Sequence, residues 1–199
     1  MNLRNFRFKL PIFDMSAIHY ENINATRTIQ ETLQAFISPF VGQPLVLVCI
    51  GTDRSTGDCL GPLIGTKLIE KSISNFHVFG TLENPVHALN LVETVEDIKS
   101  KFHHPFIIGI DACLGNIRNI GNITIGKGPV KPGAAVKKDL PEVGNIHITG
   151  TVNISGFMEF AVLQNTRLNT VMKMAEVIAS GIRKVDIELQ QDVFRIDKK

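Results

Sequence analysis

The sequence predicts an α/β fold built on a doubly wound, mainly parallel sheet. Apolar runs of strand length alternate with segments whose apolar residues recur at helical spacing, and this alternation is typical of such a sheet. Two of the runs are apolar throughout, as strands covered on both faces are. The 199 residues suffice for one compact domain with a substantial core.

The first 43 residues are expected to form an N-terminal extension that contains one helix. Residues 1–21 show no clear period and are expected to lie on the surface or to be partly disordered. Apolar residues recur at helical spacing over 26–37, and Pro39 ends that helix.

A single α/β domain is expected over residues 44–183, and its first half alternates regularly. The strands are predicted from continuous or alternating apolar residues, and the helices from a recurrent apolar face. The predicted elements, strand and helix in turn, cover residues 45–50, 62–74, 76–82, 87–102 and 106–111.

The second half of this domain has a different character. Strand-like segments over 121–126 and 145–152 flank a loop that is rich in glycine and proline. A last helix is predicted over about 165–181, with Gly181 as its C-cap. Residues 184–199 are expected to form a charged C-terminal tail.

Composition argues against several classes of protein. No apolar run approaches the roughly 20 residues that a membrane helix needs, and the N-terminus lacks the apolar stretch of a signal peptide. Three cysteines without a CxxC pair suit a reducing compartment, so a cytoplasmic location is expected. A net charge of +2 is too small to predict direct nucleic-acid binding.

Two aspartates follow apolar runs of the predicted sheet. Asp58 lies in the loop after the run over 45–50, and Asp111 ends the run over 106–110. If these runs are neighbouring parallel strands, both carboxyl groups lie at the sheet edge where open α/β folds place their sites. Two carboxyl groups in one cleft can share a proton or hold a metal ion, and either arrangement can activate water. The pair therefore indicates hydrolysis.

The two carboxyl groups are expected to take different roles. Burial and the charge of Asp58 would raise the pKa of Asp111, so that one group acts as a base on water and the other as an acid on the leaving amide. The alternative for each aspartate is a structural one, in which it caps the helix that follows.

Other candidate residues are weaker. The loop over 51–62 lacks the glycine spacing of nucleotide-binding loops. Cys59 and Cys113 flank the aspartates and are expected to be buried thiols, because carboxylates would raise the pKa of a thiol. His87 and His147 are the candidates for a third metal ligand, although a structural role is favoured for each.

A cluster of lysines lies in the glycine-rich loop. Lys131, Lys137 and Lys138 are candidates for steering an anionic or peptide substrate, and Lys127 belongs to the same cluster. The alternative is a solvated basic loop.

Three segments resemble motifs of the spore germination protease family. Gly51–Pro62, Gly-Thr-Asp-Arg-Ser-Thr-Gly-Asp-Cys-Leu-Gly-Pro, resembles its Gly-Asn…Thr-Pro-Asp-Ala-Leu-Gly-Pro segment. Ile110–Leu114, Ile-Asp-Ala-Cys-Leu, is similar to its Ile-Asp-Ala-Leu segment, and Thr124–Gly133 is similar to its Thr-Ile…Gly-Ile-His-Pro-Gly stretch. The motifs occur in the same order, and over about 44–182 the sequence resembles small relatives of that protease, the YyaC-type (DUF1256-like) sporulation proteins.

The resemblance implies a phosphorylase/hydrolase-like fold, three layers (α/β/α) around a twisted sheet, as in hydrogenase maturation peptidases. It implies an intracellular peptidase in which Asp58 and Asp111 are the catalytic pair, with protein substrates such as small acid-soluble spore proteins. The location implied is the sporulating cell or the spore interior. In the hydrogenase peptidases the matching acids bind a metal ion together with a histidine.

Three functions therefore stay open at this point. The first is an aspartate-dependent peptidase without a cofactor. The second is a peptide-binding or regulatory sporulation protein that keeps the fold without catalysis. The third is a maturation endopeptidase with a divalent metal ion between Asp58 and Asp111. Assembly into a homo-oligomer also stays open.

Overall fold

The computed structural model describes residues 17–133 and 140–196. Within these ranges six strands form one mixed sheet, flanked by helices, which confirms the predicted α/β class. The strands are β1 (Ile18–His19), β2 (Leu45–Cys49), β3 (Phe76–Phe79), β4 (Phe106–Gly115), β5 (Asn122–Lys127) and β6 (Ile146–Ile154). The helices are α1 (Ala25–Ile37), α2 (Leu60–Glu70), α3 (Leu91–Lys101), α4 (Glu159–Gln164) and α5 (Leu168–Ile196).

The sheet has the strand order β1-β5-β6-β4-β2-β3. The four strands β6, β4, β2 and β3 are parallel to one another, whereas β1 and β5 run antiparallel to their neighbours. From β2 the chain passes through α2 to β3 on one side, and then through α3 to β4 on the other side of β2. The boundary between β2 and β4 is therefore a switch point of the kind at which open α/β sheets bind ligands.

Alternate side chains of β2 enter two separate cores. Leu45, Leu47 and Cys49 pack on the side of α1, α2 and α5, whereas Val46 and Val48 pack on the side of α3. All five residues of β2 are buried, which explains why the strand is apolar throughout. The sheet is thus the middle of three layers.

The described part of the N-terminal extension shares the main core. In α1 the side chains of Ile29, Leu33 and Ile37 are buried and belong to the same cluster as those of α5. β1 adds to the sheet, where Ile18 pairs with Ile123 of β5. The helix predicted in this region is confirmed, and it packs directly on the domain.

The prediction that the last helix ends at Gly181 is wrong. Helix α5 continues to Ile196, through most of the segment expected to be a tail, and Asp186 beyond the glycine is fully buried. Gly181 is needed for packing, because a Cβ there would lie 2.5 Å from Cγ2 of Ile29 in α1. The glycine lets two helices approach closely, and it does not end one.

Strand β4 is longer than predicted. It continues past Asp111 to Gly115, because β6 pairs with it over that whole length. The pairing of β2 with β4 ends at Cys49 and Ile110. Among the described residues, β4 has a strand neighbour on one side only from Asp111 onward, and a crevice opens above the end of β2.

No helix within residues 17–133 and 140–196 is both long and apolar enough to cross a membrane.

Candidate active site

A cavity of about 520 Å³ occupies the crevice between the ends of β2 and β4. Both Asp58 and Asp111 line it, so the two aspartates singled out in the sequence meet at one site. The volume lies within the range of about 300–1,000 Å³ that is typical of ligand-binding pockets. The other titratable side chains in its lining are those of His87, Cys113, Lys131, His147 and Glu159.

Asp111 is held by the register of the sheet. It pairs with Thr149 of β6, which also lines the cavity, and its Oδ1 accepts a hydrogen bond of 2.8 Å from the backbone N–H of Ala112. Burial raises the pKa of Asp111 to about 8, and the nearby charge of Asp58 adds to the rise, while the Ala112 N–H opposes it. Asp111 is therefore largely protonated at neutral pH.

Asp58 is positioned by a tight loop that folds back on the end of β2. The backbone N–H of Thr52 donates to the carbonyl oxygen of Asp58 at 3.2 Å, and the N–H of Gly51 donates to Val86 at 2.8 Å. Gly51 has a φ of +148°, and a Cβ at this position would lie 1.9 Å from the Asp58 carbonyl oxygen. The loop can close in this way only around a residue without a side chain.

Burial also raises the pKa of Asp58, and the nearby Ser55 hydroxyl opposes the rise in part. Asp111 is the more enclosed of the two and takes the larger rise. Over a range of pH the pair therefore holds one carboxylate and one carboxylic acid. This is the combination that general acid–base catalysis requires.

Neither aspartate takes the structural role that was its alternative. The N-cap of α2 is Cys59, and no side-chain hydrogen bond caps that helix end. Asp111 lies inside β4 and not at the start of a helix. Both aspartates instead line the cavity.

The two histidine candidates also line the cavity. Nδ1 of His147 donates to the Gly128 carbonyl oxygen at 3.0 Å, since a carbonyl only accepts, and this bond fixes the ring. His147 of β6 pairs with Gly109 of β4. Gly109 lies two residues before Asp111, so His147 and Asp111 lie on the same face of the sheet. No three His, Cys, Asp or Glu side chains of the described residues form a group that could hold a metal ion.

The cysteines beside the aspartates are not placed for nucleophilic chemistry. Cys59 is buried and Cys113 is partly buried. Burial raises the pKa of both thiols, and for each the charge of its neighbouring aspartate adds to the rise. Both remain protonated thiols at neutral pH, in line with the interpretation from sequence.

Only one of the three lysine candidates can be placed. Lys131 lies on the rim of the cavity, where its Nζ contacts Glu142 at 2.8 Å and its side chain is 75% exposed. Lys137 and Lys138 lie outside the described residues. A steering role for the three lysines stays a prediction.

The wall formed by α4 is not among the features predicted from the sequence. Glu159, Phe160 and Leu163 line the cavity from this six-residue helix, which is too short to show a helical period. Phe160 is 59% exposed, and an exposed aromatic residue beside a cleft is a signal that sequence alone does not reveal. Thr149 was also missed, although strand alternation from His147 indicates its position.

The comparisons with known proteins cover the whole site. A protein-family model described as "Protein of unknown function (DUF1256)" matches residues 17–181. The "Uncharacterized protein YyaC" of Bacillus subtilis (strain 168) is 53% identical over 169 residues, which are 85% of this chain and 82% of that protein. Among solved structures, the [NiFe] hydrogenase maturation protease HycI from Thermococcus kodakarensis KOD1 is similar with a TM-score of 0.46 at 17% identity. That match covers 74% of this chain and 98% of the other.

Proposed function

The chain belongs to the DUF1256 family, and we propose that it is a peptidase in which Asp58 and Asp111 hydrolyse a peptide bond. One observation carries the proposal. Two carboxyl groups with unequally raised pKa values line a single cavity at the switch point of the sheet.

The unequal pKa values assign the roles. Asp58, as the carboxylate, accepts a proton from a water molecule, and the water oxygen forms a bond to the carbonyl carbon of the substrate. Asp111, as the acid, donates its proton to the amide nitrogen as the carbon–nitrogen bond breaks. The proton gained by Asp58 then returns to Asp111 through solvent, and the pair is ready for another turnover.

The rest of the cavity suits a polypeptide chain. Apolar side chains from α4 form one wall, and Lys131 lies on the rim. From the resemblance to the germination proteases we propose small acid-soluble spore proteins as substrates. The protein would then act in sporulation or germination, inside the sporulating cell or the spore.

The direct test uses the full-length protein and a pool of small acid-soluble spore proteins. New N-termini are measured by mass spectrometry for the unmodified chain and for Asp58→Asn and Asp111→Asn. We expect each substitution to lower the cleavage rate by at least about 100-fold, because general acid–base groups contribute about 10²–10⁴-fold. Asp53→Asn is the matched control, since Asp53 lies exposed in the same loop.

Full cleavage by Asp111→Asn would refute the assignment of the catalytic pair. Binding of the spore proteins without any cleavage by the unmodified chain would favour the peptide-binding module instead.

A further inference from the structure

The two edges of β4 differ beyond Asp111. On one edge, pairing with β6 continues to Gly115 and Ile154. On the other edge, pairing with β2 ends at Ile110. Among the described residues no strand lies beside this second edge from Ala112 onward.

The direction of the backbone groups follows from the hydrogen bonds at both ends of this segment. The N–H of Ile50 donates to the Ile110 carbonyl oxygen at 2.7 Å, so the backbone groups of Ile110 point toward β2. Alternation then directs the groups of Ala112 and Leu114 to the same, unoccupied side. The N–H of Ser155, directly after β6, donates to the Gly115 carbonyl oxygen at 2.8 Å, so the backbone groups of Gly115 point toward β6. Leu114 therefore points to the opposite side, and the alternation holds across the bulge at Leu114.

One of these groups is already bonded. The Ala112 N–H donates to the carboxyl group of Asp111. The carbonyl of Ala112 and the N–H of Leu114 face the unoccupied side, where β2 has ended.

The unoccupied side is a wall of the cavity that contains the aspartate pair. Ala112 and Leu114 line this cavity together with Asp58 and Asp111. Acceptors and donors on alternate residues of one strand edge match the backbone of a second extended chain, as in strand addition to a sheet. The cavity also presents apolar side chains, those of Leu140, Phe160 and Leu163, for alternate residues of such a chain.

The rim beside the cavity is unusually apolar for an exposed segment. Phe157 is 98% exposed and Met158 is 77% exposed, and the next two residues, Glu159 and Phe160, line the cavity. Met158 has a φ of +59°, a left-handed conformation that is strained for a residue with a long side chain. This segment offers contact area for an apolar residue of a bound polypeptide.

We propose that a segment of the substrate protein binds in extended form along β4 at Ala112 and Leu114. This continues the sheet where β2 stops and lays a peptide bond beside Asp58 and Asp111, an inference that rests on the proposed peptidase function. The substrate class is then a protein with an unfolded or locally extended segment. A small molecule would leave the edge of β4 unused.

The test removes one donor. Leu114→Pro deletes the N–H on the unoccupied side, and proline is tolerated at a strand edge that faces away from the ladder. Leu114→Ala is the matched control, because it shortens the side chain and keeps the N–H. The probe is a display library of random heptapeptides selected on Asp58→Asn, which keeps the Asp111 bond to Ala112 and removes the proposed base.

We expect selected peptides to bind Asp58→Asn and to lose at least about tenfold in affinity when Leu114→Pro is added, against less than about threefold for Leu114→Ala. Hydrogen exchange of the Leu114 amide in Asp58→Asn should slow by at least about tenfold when peptide is added. The exchange measurement decides the question if Leu114→Pro does not fold.

Three results would overturn the proposal. The first is that the selection enriches no peptide. The second is that the proline and alanine variants lose equal affinity for the selected peptides. The third is that the Leu114 amide is protected from hydrogen exchange without peptide, because the chain itself covers the edge. Failure of the proposed function has a different signature. Peptides that protect Leu114 but are not cleaved by the unmodified chain would refute the peptidase and keep the strand-addition site.

Discussion

The charge of Asp58 raises the pKa of Asp111, although one residue lies in the loop before α2 and the other lies inside β4. The strand that leads into the Asp58 loop, β2, is a hydrogen-bonded neighbour of β4, which carries Asp111 and extends past the end of β2. Coupling between the two carboxyl groups is thus a consequence of unequal strand length.

The pH dependence of peptide hydrolysis should be bell-shaped with an alkaline limb near pH 8. The acid has to be protonated to donate to the leaving nitrogen, and the pKa of Asp111 is raised to about 8. The acid limb reports the ionisation of Asp58, whose pKa lies above its usual value. Initial rates between pH 4 and 10 check this, and a rate that still rises above pH 9 contradicts the role of Asp111.

Removal of the charge of Asp58 should lower the pKa of Asp111. In Asp58→Asn the burial of Asp111 is unchanged, so its pKa should fall only in part and stay well above the usual value. Carboxyl carbon NMR titration of the labelled protein measures this directly. Asp53→Asn should leave the titration of Asp111 unchanged, and an equal shift in both variants would contradict a specific coupling.

Asp111→Asn should make the protein more stable at neutral pH, although it lowers the cleavage rate by at least about 100-fold. The folded state holds the Asp111 proton up to about pH 8, whereas the unfolded chain releases it near pH 4, so the ionisation of Asp111 lowers stability as the pH rises through this window. The asparagine oxygen can still accept from Ala112. We expect a gain of several kcal/mol in the free energy of unfolding at pH 8, because each unit of difference between the folded and unfolded pKa corresponds to about 1.4 kcal/mol.

The gain should shrink toward pH 4, where the carboxyl group is protonated in both states. Urea unfolding at pH 4, 6 and 8 checks the trend. A gain that does not depend on pH would assign it to packing and not to ionisation.

Gly51→Ala should be far more damaging than Gly42→Ala. Both glycines have positive φ values, +148° and +98°, so an alanine is strained at either position. Only at Gly51 would the new Cβ meet a backbone atom, the Asp58 carbonyl oxygen at 1.9 Å, while nothing lies within 4 Å at Gly42. We expect losses of at least about 3 kcal/mol and of about 1 kcal/mol, respectively, from urea unfolding. Equal losses would contradict the tight loop around Asp58.

Gly181→Ala should destabilise the protein, although the same change inside an ordinary helix gains about 1 kcal/mol. The new Cβ would lie 2.5 Å from Cγ2 of Ile29. We expect a loss of about 1–2 kcal/mol. In a double-mutant cycle Ile29→Ala removes the nearest atom, Cγ2, and leaves the Ile29 Cβ at 2.9 Å, so the added loss from Gly181→Ala should become smaller. An alanine that stabilises the otherwise unmodified protein would contradict close packing of α1 on α5.

The features predicted from sequence are those that depend on local pattern. The buried run over 45–50 and the two aspartates behind apolar runs are visible because each is encoded within a few residues. The extent of β4 was not predictable, because Ala112 to Gly115 become a strand only through pairing with β6. In the same way, Gly181 has the sequence signature of a helix end, and only its contact with Ile29 shows why the helix continues.

The packing of α1 against α5 also sets when the protein can fold. These helices come from opposite ends of the described chain, and each buries residues that the other covers. During synthesis the apolar face of α1 can contact β1 and β5 early, but it lacks its main partner until α5 has left the ribosome. Contacts of such long sequence separation slow folding and leave apolar surface exposed meanwhile. A nascent chain interrupted within α5 is thus a natural target for chaperones and for degradation.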